Sequence, residues 1–170
     1  LAMGRLHPNK GFDTLIDALP SCPGAVAVIA GEGPEREALA SLARRRGVAD
    51  RVRLIGWRND QAALLAACDL FVCPSRHEPL GNVVLEAWSA GRPVVAAASA
   101  GPSELIAHGS TGLLAPVDQP RALADLIETV RADRSLARAL AEAGRATWRE
   151  THAEGPVIAR WRRVLAEVAG

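Results

Sequence analysis

Short apolar runs alternate with amphipathic stretches along this chain, and that alternation predicts strands and helices in turn. Residues 2–6, 25–30, 51–55, 70–73, 93–98 and 111–115 read as strands, the second of them fully apolar. Between them, residues 12–19, 35–46, 61–67 and 82–89 read as helices, with Leu39 and Leu42 facing inward in the second. From Pro120 onward the pattern is helical only, over 121–132, 135–149 and 157–168. Strands joined through helices require right-handed crossovers and a mostly parallel sheet covered on both faces. The expected fold class is therefore a doubly wound α/β domain. It forms a single unit over 1–170, with a sheet portion at 1–118 and a helical tail at 119–170.

Composition narrows this picture without redirecting it. A chain of 170 residues, 49% hydrophobic and 23% charged, buries a proper core and is not a disordered segment. A net charge of +1 makes no broad electrostatic case for nucleic acid. No apolar run approaches the roughly 18 residues of a membrane span, and no secretory leader is read. Cys22, Cys68 and Cys73 form neither a CxxC pair nor an even disulfide set, so a reducing cytoplasmic setting is expected. The four histidines lie singly, without metal-ligand spacing. The chain begins at Leu1 directly in a strand, and is expected to be a piece of something longer.

Chemistry concentrates in the stretch Cys73-Pro-Ser-Arg-His-Glu-Pro-Leu-Gly-Asn-Val-Val-Leu-Glu86. Pro74 stops the strand, a polar loop carries Glu78, and the following helix carries Glu86 eight positions later. The free N–H groups of Gly81, Asn82 and Val83 at the start of that helix form an anion site strengthened by the helix dipole. Carboxylates flanking such a site suit a sugar nucleotide, whose phosphates take the amides and whose hydroxyls take the acids. Open α/β sheets bind ligands beyond the carboxyl ends of their strands. Arg5 and Lys10, after the first strand, are thereby placed to hold a diphosphate.

Several familiar motifs are excluded. Gly31-x-Gly33 has Arg36 where a dinucleotide fingerprint needs a third glycine, and it follows the second apolar run. The segment from Gly4 to Lys10 is no Walker A loop, because no Ser or Thr follows Lys10. A Gly-x-Ser-x-Gly nucleophile elbow is absent. Without a paired-aspartate metal motif, a metal-free mode is implied, with Arg5, Lys10 and the helix end neutralising leaving-group charge.

Taken in order, Gly4-Arg-Leu-x-x-x-Lys10-Gly11, Gly31-x-Gly33-Pro34, Val52-x-Leu-x-Gly56 and Pro74-Ser75 are followed by Glu78-x7-Glu86, Gly91-x-Pro-Val-Val95 and Gly112-x-Leu-x-x-Pro116-x-Asp118. Any one is weak alone, but the ordered set resembles the C-terminal, donor-binding half of a GT-B glycosyltransferase of the retaining glycosyltransferase family 4. The resemblance covers nearly the whole chain. It implies that Arg5 and Lys10 hold the donor diphosphate, and that Glu78 bonds the transferred sugar nearest the reacting carbon. It also implies that the amides of Leu80, Gly81, Asn82 and Val83 bind sugar and distal phosphate. Glu86 would bond the ribose, and the base would lie near Gly56 and Trp57. No cofactor beyond the nucleotide-diphospho-sugar donor is implied, and no metal.

Leu80 stands where the family often has Phe, and Ala100-Gly101 where Gly-Gly is frequent. The implied partner is an N-terminal domain, absent here, that supplies acceptor contacts; the acceptor itself is unknown. Cytoplasmic residence is implied, with a peripheral contact at the inner membrane face suggested by Arg160-Trp-Arg-Arg163, although those residues read more readily as a solvated helix. Other GT-B chemistry, such as sugar-nucleotide epimerisation, and a non-catalytic nucleotide-sugar-binding module remain as alternative functions. Taken alone, Glu78 and Glu86 are ordinary loop and helix acids, and Trp57 and Trp88 are packing residues, with only Trp57 placed where a base could stack.

Overall fold

The structure, a computed structural model, describes residues 1–169 of the chain. Strand β2 (Ala27–Ala30) pairs in parallel with β1 (Ala2–Met3) on one side and β3 (Val52–Gly56) on the other. A second parallel sheet holds β4 (Phe71–Cys73), β5 (Val94–Ala97) and β6 (Leu113–Ala115) in that order. Leu1 joins the two sheets. Its nitrogen donates to the Leu70 carbonyl at 2.9 Å, and its carbonyl accepts from the Val72 N–H at 2.8 Å. The strands therefore run β3-β2-β1-β4-β5-β6 in space, and the order reverses between β1 and β4. Open α/β sheets bind their ligands beyond the carboxyl ends of the strands at such a reversal.

Helices α1 (Phe12–Ala18), α2 (Arg36–Arg45), α3 (Gln61–Ala67), α4 (Asn82–Ser89) and α5 (Ala100–Leu105) connect the strands. Successive side chains of a strand point to opposite faces. Val72 and Val95 accordingly enter one core with Leu15, Ile29, Leu123 and Ile127, while Phe71, Cys73, Val94 and Ala96 enter another with Val84 and Trp88. Complete burial of a side chain such as Phe71 or Ile29 contributes about 1.5–3 kcal/mol, so the strands flanking the crevice are firmly held. The buried Trp88 indole N–H donates to the Thr111 carbonyl at 3.0 Å, which satisfies its one polar atom.

After β6 come α6 (Pro120–Ala132), α7 (Arg134–Thr151) and α8 (Glu154–Ala169). Pro120 at the first position of α6 loses no helical bond there, and Asp133 caps α7 by accepting from the Ser135 and Leu136 amides. The expected helical tail thus begins as a structural layer, because α6 packs on α1, β5 and β6. Helix α7 lies so close to α4 that a Cβ on Gly144 would sit 2.5 Å from the Trp88 ring. Among the described residues no helix is long and apolar enough to cross a membrane.

The structure corrects the sequence expectations in two places. Strand β1 ends at Met3, short of the expected Leu6, because the chain leaves regular pairing to form a loop ladder. Here the Gly4 N–H donates to the Ala30 carbonyl and the Leu6 N–H to the Glu32 carbonyl. Gly31 and Gly33 permit this approach: Cβ atoms there would lie 1.8 Å from the Gly4 oxygen and 2.3 Å from the Leu6 oxygen. Helix α5 was not expected, since Ala100-Gly101-Pro102 reads as a loop. Its proline falls in the first turn, where no helical N–H is needed.

Candidate functional site

The start of α4 is built from a left-handed glycine. Gly81, at φ 74°, turns the chain into the helix as its N-cap, and no side chain caps it. The amides of Asn82 and Val83 have no hydrogen-bond partner among the described residues, so they point free positive ends outward. Behind this turn sits α5. The Gly101 N–H donates to the Glu78 carbonyl at 2.7 Å, and a Cβ on Gly101 would lie 2.5 Å from the Gly81 nitrogen. A glycine at 101 is thus what lets the loop carrying Glu78 lie flat on the next crossover. Leu80 projects from this loop, 70% exposed.

Glu78 is only 8% exposed, and its Oε2 accepts from Lys10 Nζ at 2.6 Å. Lys10 ends a 3₁₀ turn at Pro8–Lys10, which His7 caps through Nδ1. Gly11, at φ 63°, then passes so near the next loop that a Cβ would sit 2.1 Å from the Pro74 oxygen. The His77 N–H donates to the Asn9 carbonyl at 3.2 Å. The loops after β1 and β4 are therefore stitched together by backbone at the switch point. Glu86 reaches solvent from α4, yet partial burial raises its pKa, and the charge of Glu78 raises it further. That coupling places the two carboxylates on a shared field.

Arg5 lies apart from the Lys10–Glu78 pair. It lines a cleft of about 400 Å³ with Gly4, Glu32, Trp57 and Arg58. Gly56 is buried at the end of β3, and Trp57 beside it is 69% exposed, so its ring offers a free face. Gly4 links cleft and ion pair, since a Cβ on it would stand 3.5 Å from Lys10 Cε. Arg5 therefore lines the cleft, while the Lys10 side chain lies against Gly4, another residue of the cleft lining. Among the described residues, no group of three or more His, Cys, Asp or Glu side chains could hold a metal ion. Burial pushes the Cys73 thiol up, which leaves it an inert packing residue.

The sequence reading missed Arg76. Its guanidinium donates to the Pro8 carbonyl at 2.6 Å, to both oxygens of Asp13 at 2.8 and 2.7 Å, and to Thr14 Oγ1 at 3.2 Å. Its Nε also pairs with Asp118 Oδ1 at 2.6 Å. Asp118, at φ 57°, is the one non-glycine residue with positive φ among the described residues. Three loops, after β1, β4 and β6, are thus clamped two residues from Glu78. Burial alone would raise the Asp13 carboxyl, but the hydrogen bond and charge of Arg76, with backbone N–H groups, hold it below its usual range. The signal in the sequence is the motif aspartate Asp118, a carboxylate that calls for a cationic partner.

The chain is similar to known proteins along nearly its full length. Residues 1–147 match the family described as Glycosyl transferases group 1. The chain is 45% identical over 147 residues to the lipopolysaccharide core biosynthesis glycosyltransferase LpsE of Rhizobium meliloti, covering 86% of this chain and 43% of that protein. The crystal structure of Anabaena Alr3699/HepE in complex with UDP superposes with a TM-score of 0.90 at 32% identity, over 99% of this chain and 47% of that one. A C-terminal domain of the group 1 family protein LpcC from Francisella tularensis shares the fold, with a TM-score of 0.82 at 23% identity over 90% of this chain and 85% of that one. The chain thus spans less than half the length of LpsE. The ordered motifs, their meeting at the sheet's switch point and the match over 1–147 lead to one conclusion: this chain belongs to the glycosyl transferases group 1 family.

Proposed function

We propose that this chain is the donor-binding half of a retaining, metal-independent glycosyltransferase that moves a sugar from a nucleotide-diphospho-sugar to a glycan, lipid or small-molecule acceptor. The observation that carries the reading is the Lys10–Glu78 pair at 2.6 Å, held beside an uncapped helix start at the switch point. In this reading Arg5, Lys10 and the amides of Gly81, Asn82 and Val83 neutralise the diphosphate as it leaves. Glu78, with the Leu80 and Gly81 backbone, orients the sugar, and Glu86 accepts from the ribose. The base lies by Gly56 and Trp57.

Transfer breaks the bond between the anomeric carbon and the diphosphate oxygen and forms one to the acceptor oxygen on the same face. The acceptor's proton passes to the departing phosphate. The acceptor side of the cleft is supplied by an N-terminal half outside these 170 residues, so residues 1–170 alone bind donor and transfer little. The UDP bound in the HepE structure supports a nucleotide donor, and the part of LpsE in lipopolysaccharide core biosynthesis supports an envelope glycan as acceptor.

Calorimetric titration of this chain with UDP, GDP and ADP, first in EDTA and then with Mg²⁺, tests the reading. Binding of one nucleotide without metal, weakened at least about tenfold in Arg5→Ala, is expected. Rapid sugar transfer by this chain on its own, or binding only with Mg²⁺, would be the opposite outcome.

A further inference from the structure

The Trp57 cleft contains an acid that the grip on a diphosphate does not explain. Glu32 follows β2, and its Oε1 lies over Gly56 so closely that a Cβ there would be 2.8 Å away. Its nearest cation is Arg36, at 3.9 Å, beyond hydrogen-bonding distance. Arg36 instead donates to the Leu54 carbonyl at 3.0 Å. Arg58, also on the cleft, is committed to Asp60 through two bonds of 2.8 and 2.5 Å. Among the described residues nothing donates a hydrogen bond to the Glu32 carboxylate. A carboxylate with both oxygens open and an aromatic face with nothing stacked on it share one cleft, next to the residues assigned to the diphosphate.

An ionised carboxylate only accepts, and its two oxygens match two parallel donors. Among the common nucleotide bases, guanine alone presents that pair on its Watson–Crick edge, from N1–H and the 2-amino group. Uracil offers one N–H between two carbonyl oxygens, and adenine an amino group beside a ring nitrogen acceptor. Each of these sets a lone pair against the carboxylate. We propose that Glu32 selects the base of the donor and that this base is guanine, stacked on Trp57. The inference rests on the donor-binding reading above, which by itself is indifferent to the base.

The test is calorimetric titration of this chain with GDP, UDP and ADP, repeated on Glu32→Gln and Glu32→Ala. Glu32 is exposed, so both variants should keep the wild-type melting temperature. GDP is expected to bind at least about tenfold tighter than UDP and ADP, and both variants should lose that preference while UDP affinity holds. UDP or ADP binding as tightly as GDP, or a GDP preference that survives in both variants, would overturn the inference and leave the donor-binding reading intact. No binding by any of the three nucleotides would remove the donor-binding reading, and this inference with it.

Discussion

Lys10 Nζ stands 2.6 Å from Glu78 Oε2 across 68 positions of sequence. The two residues lie in loops that leave adjacent strands, β1 and β4, at the point where strand order reverses. Each neutralises the other at a site with little water: Glu78 is nearly buried and Lys10 half-buried. Removing one partner leaves a charge that the fold has already desolvated.

Lys10→Ala is therefore expected to act twice. It removes a cation from the diphosphate site, and it strands Glu78 without its donor at a cost of about 1–3 kcal/mol. Thermal denaturation should show a lowered melting temperature, and nucleotide titration a loss of tenfold or more. Glu78→Gln keeps a hydrogen-bond acceptor for Lys10, so its melting temperature should fall less than that of Lys10→Ala. A variant Lys10→Ala as stable as the wild type would show that the pair carries no stability.

The Arg76 clamp gives a prediction in acid. The native Asp13 carboxyl is held below its usual range, so its contribution to stability is complete above the unfolded value of about 4. That contribution fades as pH falls through the lower native value. Arg76→Met removes the cation and should flatten this acid limb, so melting temperatures of wild type and variant converge between pH 6 and pH 3. Parallel curves over that range would refute the coupling.

Glu86 has the opposite sign. Its native pKa is raised, first by burial and then by Glu78, so the folded chain keeps a proton that the unfolded chain has released. Ionisation of Glu86 then opposes folding at neutral pH, and this penalty disappears below the unfolded carboxylate range near 4. Glu86→Gln should melt higher than wild type at pH 7 and equal to it at pH 3. Nucleotide affinity should fall in the same variant, because the amide offers the ribose hydroxyls one neutral acceptor in place of two charged oxygens, which separates a binding role from a purely structural one.

Gly101 tests whether the loop geometry needs α5. Its backbone is open to any residue, but a Cβ would lie 2.5 Å from the Gly81 nitrogen and 2.6 Å from the Leu80 carbonyl carbon. Gly101→Ala should cost about 1–3 kcal/mol and displace the 78–81 loop, with nucleotide affinity falling alongside. Gly155→Ala, with open space around its Cβ position, should change the melting temperature by no more than about 1–2 °C.

The sequence by itself determined the order and type of nearly every element, because each depends on local periodicity. The unbroken apolar run at 25–30 reads as a strand covered on both faces, and Ala27–Ala30 forms it. Asn82 to Ser89, free of Gly and Pro, could only be a short helix behind a turn. Ordered motifs likewise marked Arg5, Lys10, Glu78 and Glu86, the first three in loops beyond strand ends and Glu86 on the helix that follows. Tertiary structure decided what those residues do to one another. Nothing local announces that Lys10 meets Glu78 while Arg5 and Trp57 line one cleft, that Arg76 binds Asp13 of α1 and Asp118 beyond β6, or that Gly101 must be bare for Gly81 to turn. Those relationships arise where β1 and β4 lie side by side, and strand adjacency is set by the packing of two distant cores that no short window of sequence contains.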